Sequence, residues 1–152
     1  MKYLFITVLI LFSMTQTIAQ KRHNPAGLFD PKPYAFSHVA VIPAGSKLIY
    51  VAGQGGEEDT TGKLSASFRT QVQFALKNIQ TALQSQGATM KSVFKVTTLI
   101  VDHNGEKLKI LIEEFKKMWP DQQFPINTLI PVPALALEGM LVEIEATAAV
   151  KE

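Results

Sequence analysis

The sequence predicts an α+β domain with the element order β-β-α-β-α-β and both helices on one face of a small sheet. Three observations carry this. Two stretches repeat their apolar residues at three- and four-residue spacing, as a helix with one buried face requires. Around them lie stretches rich in β-branched and aromatic residues, bounded by glycine and proline. No internal period recurs, and no linker is long enough to divide the chain into two domains.

The first nineteen residues stand apart from this pattern. Met1-Lys2 gives a positive start, Tyr3 to Met14 is almost wholly apolar, and small residues occupy Thr17 and Ala19. That is the layout of a secretory signal cleaved after Ala19. The alternative, a membrane anchor, needs about 20 apolar residues, and this run is shorter. The chain has no cysteine, which excludes both a lipoprotein anchor and disulfides. The expected protein is therefore exported, periplasmic or secreted, and free of the membrane once the signal is removed. Cleavage removes one positive charge, Lys2, so the formal net charge falls from +2 to +1. A near-neutral domain is a poor candidate for nucleic-acid binding, which calls for a clustered basic face. Lys21-Arg22-His23 reads as a solvated basic tail.

Residues 20–33, with three prolines and a glycine, read as an irregular arm, and the domain proper as 34–152. Tyr34 to Ile42 is expected as a first strand and Leu48 to Ala52 as a second, with a turn at Pro43 to Lys47. Phe68, Val72, Leu76, Ile79 and Leu83 define the first helix, and Gly87 stands where a left-handed cap is wanted. Ser92 to Val101 returns to strand. Leu108, Leu111, Phe115 and Trp119 share a stripe of a second helix over Glu106 to Trp119, stopped by Pro120. Phe124 to Pro133 is an extended, proline-flanked run, and Met140 to Val150 is the last strand. Two helices cover only one face of about four strands. Leu48 to Ala52 is nevertheless apolar on both faces, so the other face is expected to be buried against copies of the chain.

An ordered set of landmarks then points to a family. These are Pro33-Tyr34, Val51-Ala52-Gly53-Gln54, Thr61-Gly62, then Gln71, Leu76, Asn78-Ile79, Leu83 and Gly87 on the first helix. Phe94-Lys95-Val96-Thr97, Asp102, Phe124-Pro125 and Val142-Glu143-Ile144-Glu145-Ala146 follow. The chain from about Asn24 onward resembles the Rid (reactive intermediate deaminase, YjgF-like) family. The resemblance implies a chorismate-mutase-like fold, a homotrimer, and small-molecule clefts at the three subunit boundaries. It also implies hydrolysis of enamines or imines to a carbonyl compound and ammonia.

In that family an arginine two residues after the Phe-Pro proline binds the substrate carboxylate, and here the segment reads Phe124-Pro125-Ile126-Asn127. Asn127 can hydrogen-bond a carboxylate but brings no charge, so the standard 2-imino acids are not expected as substrates. The alternative is that Asn127 only satisfies backbone groups at a strand edge. Glu143 matches the first glutamate of the C-terminal signature, which implies a catalytic role in positioning water. On a strand Leu141, Glu143 and Glu145 share one face and Val142, Ile144, Ala146 and Ala148 the other, so the glutamates should point away from the helices. The alternative for Glu143 is a solvated edge carboxylate. Tyr34, Gly53 and Gln54 match cleft-lining positions, although as bare sequence they are a strand start and a turn. His23, His38 and His103 show no metal-ligand spacing, and no phosphate loop, nucleophile elbow or dinucleotide fingerprint occurs, so no cofactor or metal is expected. Two functions stay open: an imine or enamine hydrolase, or a non-catalytic trimer that binds a small ligand.

Overall fold

A computed structural model describes residues 20–151 of the chain, so the segment read as a signal, 1–19, lies outside the described residues. The elements are β1 (Lys21–His23), β2 (Val39–Val41), β3 (Ser46–Gln54), α1 (Phe68–Gln84), β4 (Val93–Val101), α2 (Gly105–Met118), β5 (Ile126–Val132) and β6 (Val142–Lys151). The main sheet has the order β3-β6-β4-β5. Its ladders are antiparallel except for the parallel β4–β5 pair, which α2 connects as a crossover.

Both helices start on the caps their sequences supply. The Ser67 side chain accepts from the Thr70 N–H, and the Asn104 side chain accepts from the Lys107 N–H. Gly87, at φ +71°, ends the first helical segment, and the Ala88 N–H reaches back to the Leu83 carbonyl. The apolar stripe of α1 is buried under the sheet: Val72, Leu76, Ile79 and Leu83 are at most 1 % exposed. Each such side chain contributes about 1.5–3 kcal/mol by leaving water. Val142, Ile144, Ala146 and Ala148 face them from β6, as their alternation requires. Phe115 and Trp119 close the core in an edge-on pair with centroids 5.3 Å apart, and the indole donates to the Met90 carbonyl.

One fully buried polar group ties these layers together. The Gln71 amide on α1 donates to the Ser65 and Gly139 carbonyls and accepts from the Leu141 N–H, so both ends of the side chain are used. Gly56 lies directly on it: a Cβ there would sit 2.3 Å from the Gln71 Cα.

The structure corrects the expected strand order at its two ends. Tyr34 to Ile42 is not a strand of the main sheet. Lys32–Tyr34 is a 3-10 turn with proline at its start, and Ala35 then takes a left-handed conformation, φ 58°, which breaks an extended run. Only Val39–Val41 is extended, and it pairs with Lys21–His23 in a separate two-stranded ribbon. The basic tail is therefore paired as well as solvated: Lys21 and His23 are exposed, while the Arg22 guanidinium donates to the Val93 carbonyl at 2.6 Å. At the other end, Ile126–Val132 is a true sheet strand, so the elements run β-β-β-α-β-α-β-β. Pro131 is tolerated because β5 is an edge strand.

Candidate functional site

Asn127 lies on β5 in register with Val96, a core residue of β4, so its side chain projects on the helix side of the sheet. Its Oδ1 accepts from the hydroxyl of Thr98, a buried neighbour, at 3.1 Å. Beyond it opens a cavity of about 550 Å³ lined by Phe29, Tyr34, Phe36, Leu108, Leu111, Asn127 and Leu129. The 3-10 turn and the left-handed Ala35 bring Tyr34 to the mouth, where it is half exposed. Phe29 packs edge-on against the rings of Tyr34, Phe36 and His38 at centroid distances of 5.1–6.0 Å. The His38 ring Nε2 lies 2.9 Å from the Phe29 carbonyl, and the Asn24 side chain accepts from the His38 N–H at 2.9 Å. The arm is docked on the edge of β5 by Ser37, whose N–H and hydroxyl donate to the carbonyls of Pro125 and Phe124.

Glu143 lies on the opposite face of the sheet, in register with Leu99 of β4. Its carboxylate rests against the Cα of Gly53, close enough that any Cβ on residue 53 would overlap it. The ladder between β3 and β6 slips between Val51 and Gln54, a one-residue bulge that places Gly53 beside Glu143. No hydrogen bond among the described residues ends on the Glu143 carboxylate, whereas its neighbour Glu145 accepts from the Thr97 hydroxyl at 2.6 Å. The Gln54 amide folds back onto its own backbone, donating to the Ala52 and Gly53 carbonyls at 3.2 Å each.

The structure thus pairs Tyr34 with Asn127 and Gly53 with Glu143, and puts the two pairs on opposite faces of one sheet. Six contributors escaped the sequence reading: Phe29, Phe36, Leu129 and Thr98, together with Leu108 and Leu111, which were read only as part of the helix stripe. The aromatic pair had a legible signal, because Phe29, Tyr34, Phe36 and His38 crowd ten residues between prolines. Thr98 had none, since its role depends on the register of β4 with β5.

The two arginines of the chain are committed elsewhere. Arg69 holds Glu113 at 2.8 Å and Glu114 at 2.6 Å across the seam between α1 and α2. Those hydrogen bonds, Glu113 first, raise its affinity for the proton still further. Burial pushes the Arg22 guanidinium down from its ordinary value, with the Asp121 charge opposing. Burial alone would push the Glu114 carboxyl up. Hydrogen bonds from Lys117, Arg69 and Gln73 outweigh that and leave it below the usual carboxylate range.

A four-stranded mixed sheet with two helices on one face defines an α+β protein of the YjgF and chorismate-mutase-like fold class. The chain belongs to the family described as Endoribonuclease L-PSP, whose model matches residues 31–150. It is 33 % identical over 101 residues to a RutC family protein of Aquifex aeolicus, covering 66 % of this chain and 78 % of that one. A Rid family protein of Yersinia pestis, YyfB, superposes with a TM-score of 0.80 at 28 % identity, covering 86 % of this chain and 98 % of that one. Escherichia coli TdcF with bound serine superposes at 0.62 and 22 % identity, over 72 % of this chain and 85 % of that one. This last likeness is one of fold.

Proposed function

We propose that the protein is an exported homotrimer that hydrolyses an imine or enamine lacking the carboxylate of the usual 2-imino acids. What supports this reading is that both arginines of the chain are engaged elsewhere, while the resemblance sets Asn127 where the family carries its arginine. Removing one charge-assisted contact to a carboxylate costs about 2–5 kcal/mol of binding, enough to lose a small anionic substrate. The serine bound to TdcF supports a small-molecule role for the fold, and serine carries the carboxylate for which Asn127 offers no charge.

The trimer explains why each protomer carries two half-sites. A neighbouring copy packed on the open face of the sheet would bring its Tyr34 and Asn127 toward this chain's Glu143 and Gly53. The open face has the apolar residues such packing needs: Leu48 and Tyr50 are 43 % and 75 % exposed. In the completed cleft Glu143 orients a water and takes its proton as oxygen attacks the C=N carbon. That proton passes to nitrogen, giving a carbinolamine; its hydroxyl proton then follows to nitrogen as the C=O bond forms and the C–N bond breaks, so one water is consumed for each carbonyl compound and ammonia released.

Ammonia release is the direct test, run with an uncharged imine and with a freshly generated 2-imino acid. The expected result is acceleration of the uncharged imine only, lost in Glu143→Gln. An Asn127→Arg variant is expected to gain the imino acid. Acceleration of neither compound by the wild type would leave the second reading, a trimer that binds a small ligand without turning it over.

A further inference from the structure

We infer that the cavity beside Asn127 selects an uncharged, ring-bearing molecule and anchors it through one hydrogen-bond acceptor. The inference rests on the proposed cleft and names the class of ligand it takes. Six of the seven lining residues are aromatic or aliphatic, and none carries a formal charge. At about 550 Å³ the space is within the range that holds a small organic ligand. A carboxylate entering it would leave water without a cation to meet it, which is costly in apolar surroundings. A flat ring meets the edges and faces of Phe29, Tyr34 and Phe36, the surfaces on which rings pack well.

The polar contact is set in advance. The Thr98 hydroxyl donates to the Asn127 Oδ1, so the amide oxygen already has a partner and the Nδ2 group is the end left to a ligand. No hydrogen bond among the described residues uses that NH₂ group. Asn127 therefore offers the ligand donors, which suit a carbonyl oxygen or an imine nitrogen. Thr98 is a positioning residue: it is fully buried and acts only by fixing the amide.

Benzamide and benzoate separate the classes, since they share a ring and a carbonyl and differ in charge. Calorimetry on the protein should find benzamide bound at least tenfold more tightly than benzoate. Asn127→Arg should reverse that order. Thr98→Val should lower the benzamide preference and Thr98→Ser restore it, a change in ratio that loss of packing alone would not produce. Benzoate bound as tightly as benzamide by the wild type overturns the inference, as does binding of neither. Benzamide binding with no ammonia released from any imine would sink the catalytic reading alone. Hydrolysis of uncharged imines without benzamide binding would sink the present inference alone.

Discussion

The two faces of the sheet are built from similar residues and finished differently. On the helix side Val51, Val96, Ile100 and Ile144 are at most 8 % exposed, and the buried polar groups are paired: the Gln71 amide is satisfied at both ends and the Thr98 hydroxyl donates to Asn127. On the other side Leu48, Tyr50 and Ile130 are exposed, and the Glu143 carboxylate has no protein partner among the described residues. The covered face is completed by the chain itself. The open face needs something more, and the chemistry that the fold leaves unspent is there and along the β5 edge.

That contrast can be broken by substitution. Leu76→Ala removes a fully buried side chain from the covered face and should cost about 2–5 kcal/mol, read by urea denaturation. Gly56→Ala drives a methyl into the Gln71 backbone, which cannot swing aside, and should cost about 1–3 kcal/mol by overpacking. The same change at Gly53 should behave differently. There the obstruction is the end of the Glu143 side chain, so stability should move by less than about 0.5 kcal/mol while ammonia release falls. Equal losses of stability at Gly53 and Gly56 would erase the distinction between a packing glycine and a site glycine.

Two milder changes sharpen it. The depressed Glu114 carboxyl stabilises the folded chain above its unfolded value of about 4.3, and that stability is lost as pH falls toward and through its lower folded value. Melting temperatures between pH 3 and 7 should therefore drop more on the acid side in the wild type than in Glu114→Gln. Tyr50→Glu, on the open face, should leave stability nearly unchanged at concentrations where the protein is monomeric. Sedimentation should show it failing to form the proposed trimer, and a Tyr50→Glu trimer as tight as the wild type would remove this face from the interface.

Much of the fold could be read from residues because it obeys a period. The stripe from Phe68 to Leu83 fixed α1 and its buried face, and the alternation from Leu141 to Ala148 sent Glu143 to the open side. The misreadings fall where local preference and long-range pairing disagree. Tyr34 to Ile42 has strand composition, yet the proline-led turn and left-handed Ala35 cut it short. Lys21 to His23 has no strand composition, yet it is extended because β2 lies beside it. Tyr34, Gly53, Asn127 and Glu143 were legible as residues. The side on which Asn127 falls was not, since it depends on the parallel register of β4 with β5.

The order of the strands has a consequence for how the molecule comes into being. The last strand in sequence, β6, is central in space, and β3 has its ladder only with it among the described strands. Ser46 finds its partner at Lys151, across more than a hundred residues. Until β6 (Val142–Lys151) arrives, β4 and β5 can pair but β3 has no neighbour, and α1 has only half a floor to lie on. Pairings of such separation form slowly. The keystone of the arch is delivered after the stones it holds, and a chain cut short before β6 would be scaffolding without an arch.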